Sequence, residues 1–223
     1  MLDWFLLIAG AYAVGSIPFG LLIARTQGVD IRAHGSGNIG ATNVGRVLGR
    51  RFGITCLILD ALKGALPVLA AGHVSAALYA NELADADAWG WIGVAMAAIA
   101  GHIYPVWIGF KGGKGVATSL GALLGLWPML TLPAAGAAAV WGTVLVLTRY
   151  VGVASCAAAV SIPLLVTLVS RTGIWGDRAV VPAMTFSLVL AALVIWRHRG
   201  NLARTLRGTE PKSGSSYKPT DAP

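Results

Sequence analysis

Long apolar stretches separated by short polar connections constrain this chain more than any other feature. Five of them approach the roughly 20 residues that a helix needs to cross a bilayer, and they cover 2–24, 51–72, 89–108, 151–170 and 179–196. A further stretch, 116–148, is interrupted by prolines at 128 and 133, so we divide it into two shorter helices. Only 12% of the residues are charged, against about a quarter in soluble domains. The pattern predicts an all-α integral membrane protein with seven transmembrane helices.

The basic residues predict how this bundle is oriented. Of 17 Lys and Arg residues, fourteen fall in connections on one side, Arg171 and Arg178 fall on the other, and Lys63 lies within a helix. Because cytoplasmic loops are enriched in Lys and Arg, the N-terminus is predicted outside and the C-terminus in the cytoplasm. We expect a single transmembrane domain over 1–208 with a cytoplasmic-facing site, and a polar disordered tail over 209–223. The net charge of +8 follows from this topology, so no nucleic-acid partner is expected.

A glycine-and-lysine segment follows the third apolar stretch, where the chain reads GHIYPVWIGFKGGKG over 101–115. Glycines without a Cβ allow backbone N–H groups to approach an anion, and the candidates are Gly112, Gly113 and Gly115. Lys111 and Lys114 would supply the compensating positive charge. The spacing does not fit a Walker loop, since Gly115 stands where that motif has its Ser or Thr. His102 precedes the segment and is either a packing residue or a substrate contact.

The first polar connection, residues 34–46, reads HGSGNIGATNVGR. Its glycines permit close backbone approach to an anion, and they are Gly35, Gly37 and Gly40. Small polar side chains between and after them can donate hydrogen bonds, and they are Ser36, Asn38, Thr42 and Asn43. Arg46 can hold a phosphate through two parallel hydrogen bonds. A tight polar turn between helices is the alternative interpretation, because turns also favour Gly and Asn.

A third polar segment continues the last apolar stretch as RHRGNLARTLRGTE over 197–210. Helical spacing places His198 and Asn201 on one face, three residues apart, and we take both as candidate site residues. Arg204 and Arg207 are explained by topology alone. Inside the second stretch, Asp60 and Lys63 are expected to neutralise each other. Cys56 and Cys156 lie in apolar stretches without metal-site spacing, so neither a metal nor a cofactor is predicted.

Together the three polar segments resemble the cytoplasmic motifs of the PlsY family, the bacterial acyl-phosphate:glycerol-3-phosphate acyltransferases. The resemblance implies seven helices around a cytoplasmic-facing pocket in the bacterial inner membrane. It implies transfer of a fatty acyl group from acyl phosphate to the 1-hydroxyl of glycerol 3-phosphate, which gives lysophosphatidic acid and phosphate. The family positions that handle glycerol phosphate match Ser36, Arg46, Lys114, His198 and Asn201.

One position departs from the family pattern. Gly152 stands where the family often has a serine, so a donor contact there would move to Ser155 or to the backbone.

The three motifs offer groups that could stabilise an oxyanion but no acid or base pair, and no GxSxG motif or cysteine for a covalent intermediate. We therefore expect direct attack by the substrate hydroxyl, with a substrate phosphate accepting the proton. Two other functions compete with this one. An organic-phosphate transporter would bind near the midplane between repeated halves, and no repeat is found. A lipid-binding scaffold would account for the basic tail but not for the glycine segments.

Overall fold

The computed structural model describes residues 2–75, 77, 84–172 and 177–215. Over these residues the fold is entirely helical, which confirms the all-α prediction. The described residues form nine α-helices, which are α1 (Leu2–Gly15), α2 (Phe19–Thr26), α3 (Ala41–Leu48), α4 (Arg50–Val74), α5 (Asp85–Ile103), α6 (Val116–Gly125), α7 (Thr131–Thr148), α8 (Val151–Ser170) and α9 (Asp177–Leu206). Two short 3-10 helices, Ile31–Ala33 and Val106–Ile108, lie in the first connection and after α5.

Six helical segments of the described chain are long and apolar enough to cross a membrane. The prediction of seven is not confirmed, because α6 has only 10 residues. At 1.5 Å per residue, α6 is about 15 Å long, half of the roughly 30 Å hydrocarbon core. It ends just before Trp127-Pro128, where proline cannot donate to the helical ladder. Pro18 interrupts the first predicted span in the same way, between α1 and α2.

Close helix packing through small residues places α6 against α4. A Cβ built on Gly64 would lie 2.1 Å from the backbone oxygen of Thr118, and one on Gly121 would lie 1.9 Å from that of Ala61. Only glycine permits this separation, which is the usual device for joining helices in a bilayer. The contact fixes the first turn of α6 beside the middle of α4.

The ends of α6 and α7 show how the bundle is organised about one face. The first residues of α6 and the first residues of α8 line the same cavity. Helices α6 and α7 therefore form a hairpin that leaves this face and returns to it. Termini on opposite sides of the membrane require an odd number of membrane crossings in total. Because the α6–α7 hairpin begins and ends at the same face, it does not change which side the C-terminus reaches, whether or not α6 spans the membrane fully. The orientation itself stays a prediction.

The beginning of the predicted tail packs on the helices. The backbone N–H of Ser213 donates to the carbonyl of Arg149 at 2.7 Å, and Glu210 makes side-chain hydrogen bonds to α9. Residues 209–215 thus cover part of the helical bundle. Residues 216–223 lie outside the described part of the chain, and the predicted domain division stays a prediction.

Candidate active site

A cavity of about 460 Å³ opens at the face where the three polar segments meet. Its walls come from the first connection and α3, from the start of α6, from α8, from α9 and from residues 209–215. The predicted site residues that line it are Gly35, Ser36, Asn38, Gly40, Thr42, Asn43, Arg46, His102, Lys114, Gly115, His198 and Asn201. Those that do not are Gly37, Lys111, Gly112, Gly113 and Ser155. Residues separated by up to 166 positions in the sequence therefore share one cavity.

The first connection is shaped by Asn43, which is 2% exposed. Its side-chain oxygen accepts the backbone N–H of Ser36 at 2.9 Å, and its amide nitrogen donates to the carbonyls of His34 and Asn38 at 3.0 and 2.9 Å. Gly35 has φ +60°, and a Cβ there would lie 2.3 Å from the Asn43 oxygen. Asn43 was predicted as a possible substrate donor, but its amide is used within the loop.

Two other polar side chains of this region, Asn38 and Arg46, line the cavity. Asn38 accepts the backbone N–H of Gly40 at 2.8 Å, which closes the turn that precedes α3. Arg46 lies in the last turn of α3 and lines the cavity. Within the described part of the chain, Arg46 has no carboxylate partner within ion-pair distance. Its guanidinium is therefore available to a bound anion.

The glycine-and-lysine segment is fixed to the end of α5. The N–H groups of Gly112 and Gly113 donate to the carbonyls of Ile103 and His102, each at 3.1 Å. These two amides are therefore already paired within the protein. Gly115 caps α6 with φ +83°, and the cavity begins at Lys114 and Gly115 and continues over the first turn of the helix. The unpaired N–H groups of a first helical turn favour an anion at that end.

Lys114 is a cation in the lining of the cavity. Its ammonium group donates to the side-chain oxygen of Asn201, whose amide nitrogen donates to Glu210 at 2.5 Å. Burial lowers the pKa of Lys114 to about 8; nearby Arg204 and Arg197 act in the same direction, while Glu210 opposes them. Glu210 also accepts from Arg204 at 2.7 Å. The chain of contacts joins the loop, α9 and the segment after α9.

His198 is 2% exposed and lies one turn before Asn201. Its Nδ1 is 2.9 Å from the carbonyl of Val194. A carbonyl can only accept, so Nδ1 carries the proton and Nε2 of the neutral ring is a hydrogen-bond acceptor. The ring can thus receive a hydrogen bond from a hydroxyl group.

The N-terminus of α8 approaches α9 through Gly152. A Cβ at this position would lie 2.8 Å from the Cβ of Asn201. Ser155 instead donates to the carbonyl of Val151 at 2.8 Å and accepts the indole N–H of Trp141 at 3.3 Å. Because Ser155 is buried outside the cavity wall, a donor contact at this helix falls more naturally on the backbone around Val151 and Gly152, which do line it.

Comparison with known proteins accounts for this arrangement. The sequence model described as glycerol-3-phosphate acyltransferase matches residues 5–208. The chain belongs to the glycerol-3-phosphate acyltransferase family. A relative of that name from Geobacter sulfurreducens is 49% identical over 210 residues, which cover 94% of this chain and 97% of the relative. One from Geotalea daltonii is 48% identical over 205 residues, with 92% and 94% covered.

Solved structures extend the similarity to the fold. A crystal structure of PlsY, described as an integral membrane glycerol 3-phosphate acyltransferase in its glycerol 3-phosphate form, has a TM-score of 0.79 and 39% identity. It covers 95% of this chain, which spans 96% of that one. The lysophosphatidic acid form has a TM-score of 0.77 and 38% identity over 94% of each chain. The protein is thus a multi-pass membrane acyltransferase.

Sequence reasoning missed that His102 lies beside the buried Asp60–Lys63 pair at the lining of the acyltransferase cavity. Asp60 and Lys63 form the expected ion pair, with the ammonium nitrogen 2.9 Å from Oδ1. The same Oδ1 is 3.6 Å from Nδ1 of His102, and both Asp60 and His102 line the cavity. Asp60 belongs to α4 and His102 to α5, so no local spacing in the sequence could indicate the contact between them. Glu210 was also missed, although it is the one carboxylate in the three motifs.

Proposed function

We propose that this acyltransferase moves a fatty acyl group from acyl phosphate to the sn-1 hydroxyl of glycerol 3-phosphate, giving lysophosphatidic acid and inorganic phosphate. This would be the first acylation of phospholipid biosynthesis, at the cytoplasmic face of a bacterial inner membrane. The observation that carries the proposal is that one cavity is lined by two cations from separate elements, Arg46 in the last turn of α3 and Lys114 just before α6, besides Arg204, which is paired with Glu210. The relatives' names support glycerol 3-phosphate as the acceptor.

Two phosphate-bearing substrates need two groups of donors, and the cavity offers them. Arg46 extends from α3 with no carboxylate beside it in the described chain, and Lys114 lies where the first turn of α6 begins. Backbone N–H groups at the starts of α6 and α8 add positive potential at the cavity wall. Holding both anions in one cavity offsets their mutual repulsion and brings the reacting groups together.

The proposed reaction needs no acyl-enzyme. The glycerol hydroxyl oxygen attacks the acyl carbonyl carbon, the new ester C–O bond forms, and the C–O bond to phosphate breaks. The hydroxyl proton passes to a substrate phosphate oxygen, and the bonding electrons leave with inorganic phosphate. Nε2 of His198 accepts a hydrogen bond from the other hydroxyl of glycerol 3-phosphate and so orients the substrate, and backbone N–H groups at the start of α6 stabilise the oxyanion.

The Asp60–His102 pair does not take the role of general base in this scheme. His102 is only 4% exposed. A Cβ built on Gly113 would lie 2.1 Å from Nε2 of His102, so the loop lies directly over that nitrogen. A base must come within hydrogen-bond reach of the proton that it removes. We therefore give His102 a packing role beneath the loop, one of its two predicted interpretations.

The acyl chain can stay within the bilayer while its phosphate enters the cavity. Leu57 of α4 and Trp141 of α7 supply apolar surface to the lining. Leu57 is 46% exposed on the outside of the helical bundle, where lipid would surround it. A donor with a small anionic leaving group suits such a cavity better than a thioester bound to a bulky soluble carrier.

Two assays, of product formation and of uptake, separate this function from its rivals. Purified protein in lipid nanodiscs would be given labelled glycerol 3-phosphate with either acyl phosphate or acyl-CoA. We expect lysophosphatidic acid and phosphate in equal amounts with acyl phosphate, and little product with acyl-CoA. Comparable rates with both donors would refute the assigned donor. Uptake of glycerol 3-phosphate into sealed vesicles without product would instead support an organic-phosphate transporter.

A further inference from the structure

Arg197 fits the excess of basic residues predicted at the cytoplasmic side, and it also contacts two other segments of the protein. It belongs to α9, yet one of its terminal nitrogens donates to the carbonyl of Gly113 at 2.8 Å and reaches that of Gly112 at 3.5 Å. Its guanidinium lies 5.9 Å from the ring centre of Tyr104, the residue that caps α5. Arg197 thus joins the glycine-and-lysine segment and the end of α5 to α9.

The glycine-and-lysine segment also contacts α5, through His102. The N–H of Gly113 donates to the backbone carbonyl of His102, while the carbonyl of Gly113 receives Arg197. Both polar groups of this peptide position are therefore paired, one with α5 and one with α9. Lys114 follows directly and donates to Asn201, one helical turn beyond Arg197. The loop is held at two successive positions by two successive turns of α9.

We propose that Arg197 is a positioning residue for phosphate binding. It holds the glycine-and-lysine segment so that Lys114 and the first turn of α6 stay aligned with His198 and Asn201. It also pairs the Gly112 and Gly113 carbonyls outside the cavity wall, so their negative ends do not oppose an incoming phosphate. This role rests on the proposed function, because it concerns the glycerol 3-phosphate site of that reaction.

Arg199 offers a matched control on the same helix. It carries the same charge two residues later and is exposed, and its guanidinium donates to the Trp196 carbonyl of its own helix at 2.8 Å. Its guanidinium stacks 4.7 Å from the Trp196 ring. If Arg197 served only as a topological anchor, loss of either arginine would have the same effect. If Arg197 positions the loop, only its loss would weaken phosphate binding.

The test compares Arg197→Gln, Arg197→Lys and Arg199→Gln in nanodiscs. We expect Arg197→Gln to raise the KM for glycerol 3-phosphate about tenfold or more, the size of a lost charge-assisted hydrogen bond, with a much smaller change in kcat. Arg197→Lys keeps the charge and a donor and should recover part of the affinity. Arg199→Gln should match the wild type. Arg197→Lys also provides the measurement if Arg197→Gln does not fold.

Three outcomes would overturn the role: an unchanged KM in both Arg197 variants, a fall confined to kcat, or an equal loss in Arg199→Gln. Titration calorimetry with glycerol 3-phosphate keeps this inference separate from the reaction. Wild type that binds glycerol 3-phosphate without transferring acyl groups would refute the proposed function. The positioning role would then be judged from the binding constants of the same three variants.

Discussion

Lys114 makes the alkaline limit of this enzyme predictable. Burial lowers its pKa to about 8, against about 10.4 for an unperturbed lysine. At pH 7 about 90% of such a group is charged, and at pH 9 about 10% is charged. The second ionisation of a phosphate monoester lies near pH 6, so the substrate is already a dianion across this range. Affinity for glycerol 3-phosphate should therefore fall as pH rises through 8, by about tenfold for each unit above it.

The sign follows from what each form of the enzyme binds. A group whose pKa is lowered by burial loses its proton at lower pH, and the neutral amine no longer attracts phosphate. Bound phosphate favours the ammonium form and raises the pKa of Lys114. The limit should thus appear near pH 8 in kcat/KM, which reports the free enzyme, and at higher pH in kcat.

The assay is lysophosphatidic acid formation from pH 6.5 to 10 with wild type, Lys114→Arg and Lys212→Gln. A guanidinium does not titrate in this range, so Lys114→Arg should lose the alkaline limit near 8, although its activity is lower throughout. Lys212 is exposed and does not itself line the cavity, and its replacement should leave the profile unchanged. An identical limit in wild type and Lys114→Arg would refute the assignment.

Three further expectations concern other parts of the molecule. Arg46→Lys should lower kcat/KM for glycerol 3-phosphate about tenfold or more, because a point charge cannot replace two parallel hydrogen bonds; near-normal kinetics would exclude that contact. Asp60→Asn should lower the thermal midpoint, since a buried charge left without its partner costs about 3 to 5 kcal/mol, and the double change with Lys63→Met should restore it; an unchanged midpoint in the single variant would contradict this. Reporter fusions after Pro223 should give a cytoplasmic signal, and a periplasmic one would reject the predicted topology.

The membrane helices were predictable because their signal is local. Each long apolar stretch has to satisfy its backbone hydrogen bonds within itself, so composition alone indicates a helix. Pro128 correctly predicted the interruption between α6 and α7. It did not predict the length of α6, which ends at Gly125. That length depends on packing against α4 through Gly64 and Gly121, and sequence periodicity carries no information on such a contact.

The site was predictable to the extent that its residues occur in compact motifs. Ser36, Arg46, Lys114, His198 and Asn201 line one cavity as the motifs indicated. Sequence patterns could not tell which polar groups are already paired within the protein. Gly112 and Gly113 match the composition of an anion-binding loop, yet their N–H groups bond the end of α5. Asn43 matches a substrate donor, yet it fastens its own loop.

Some polar groups of the motifs hold the protein's own loops in place, and others remain available to contact a substrate. The N–H groups of Gly112 and Gly113 donate to α5, and the carbonyl of Gly113 accepts from Arg197. The next residue, Lys114, and the start of α6 line the cavity. Below them, Asp60 and Lys63 place two opposite charges beside His102 in a bundle where unpaired charge is costly. A loop made largely of glycine has little stiffness of its own. Its geometry at the cavity must therefore come from the groups that hold it, which is why arginine and histidine are found on its two sides.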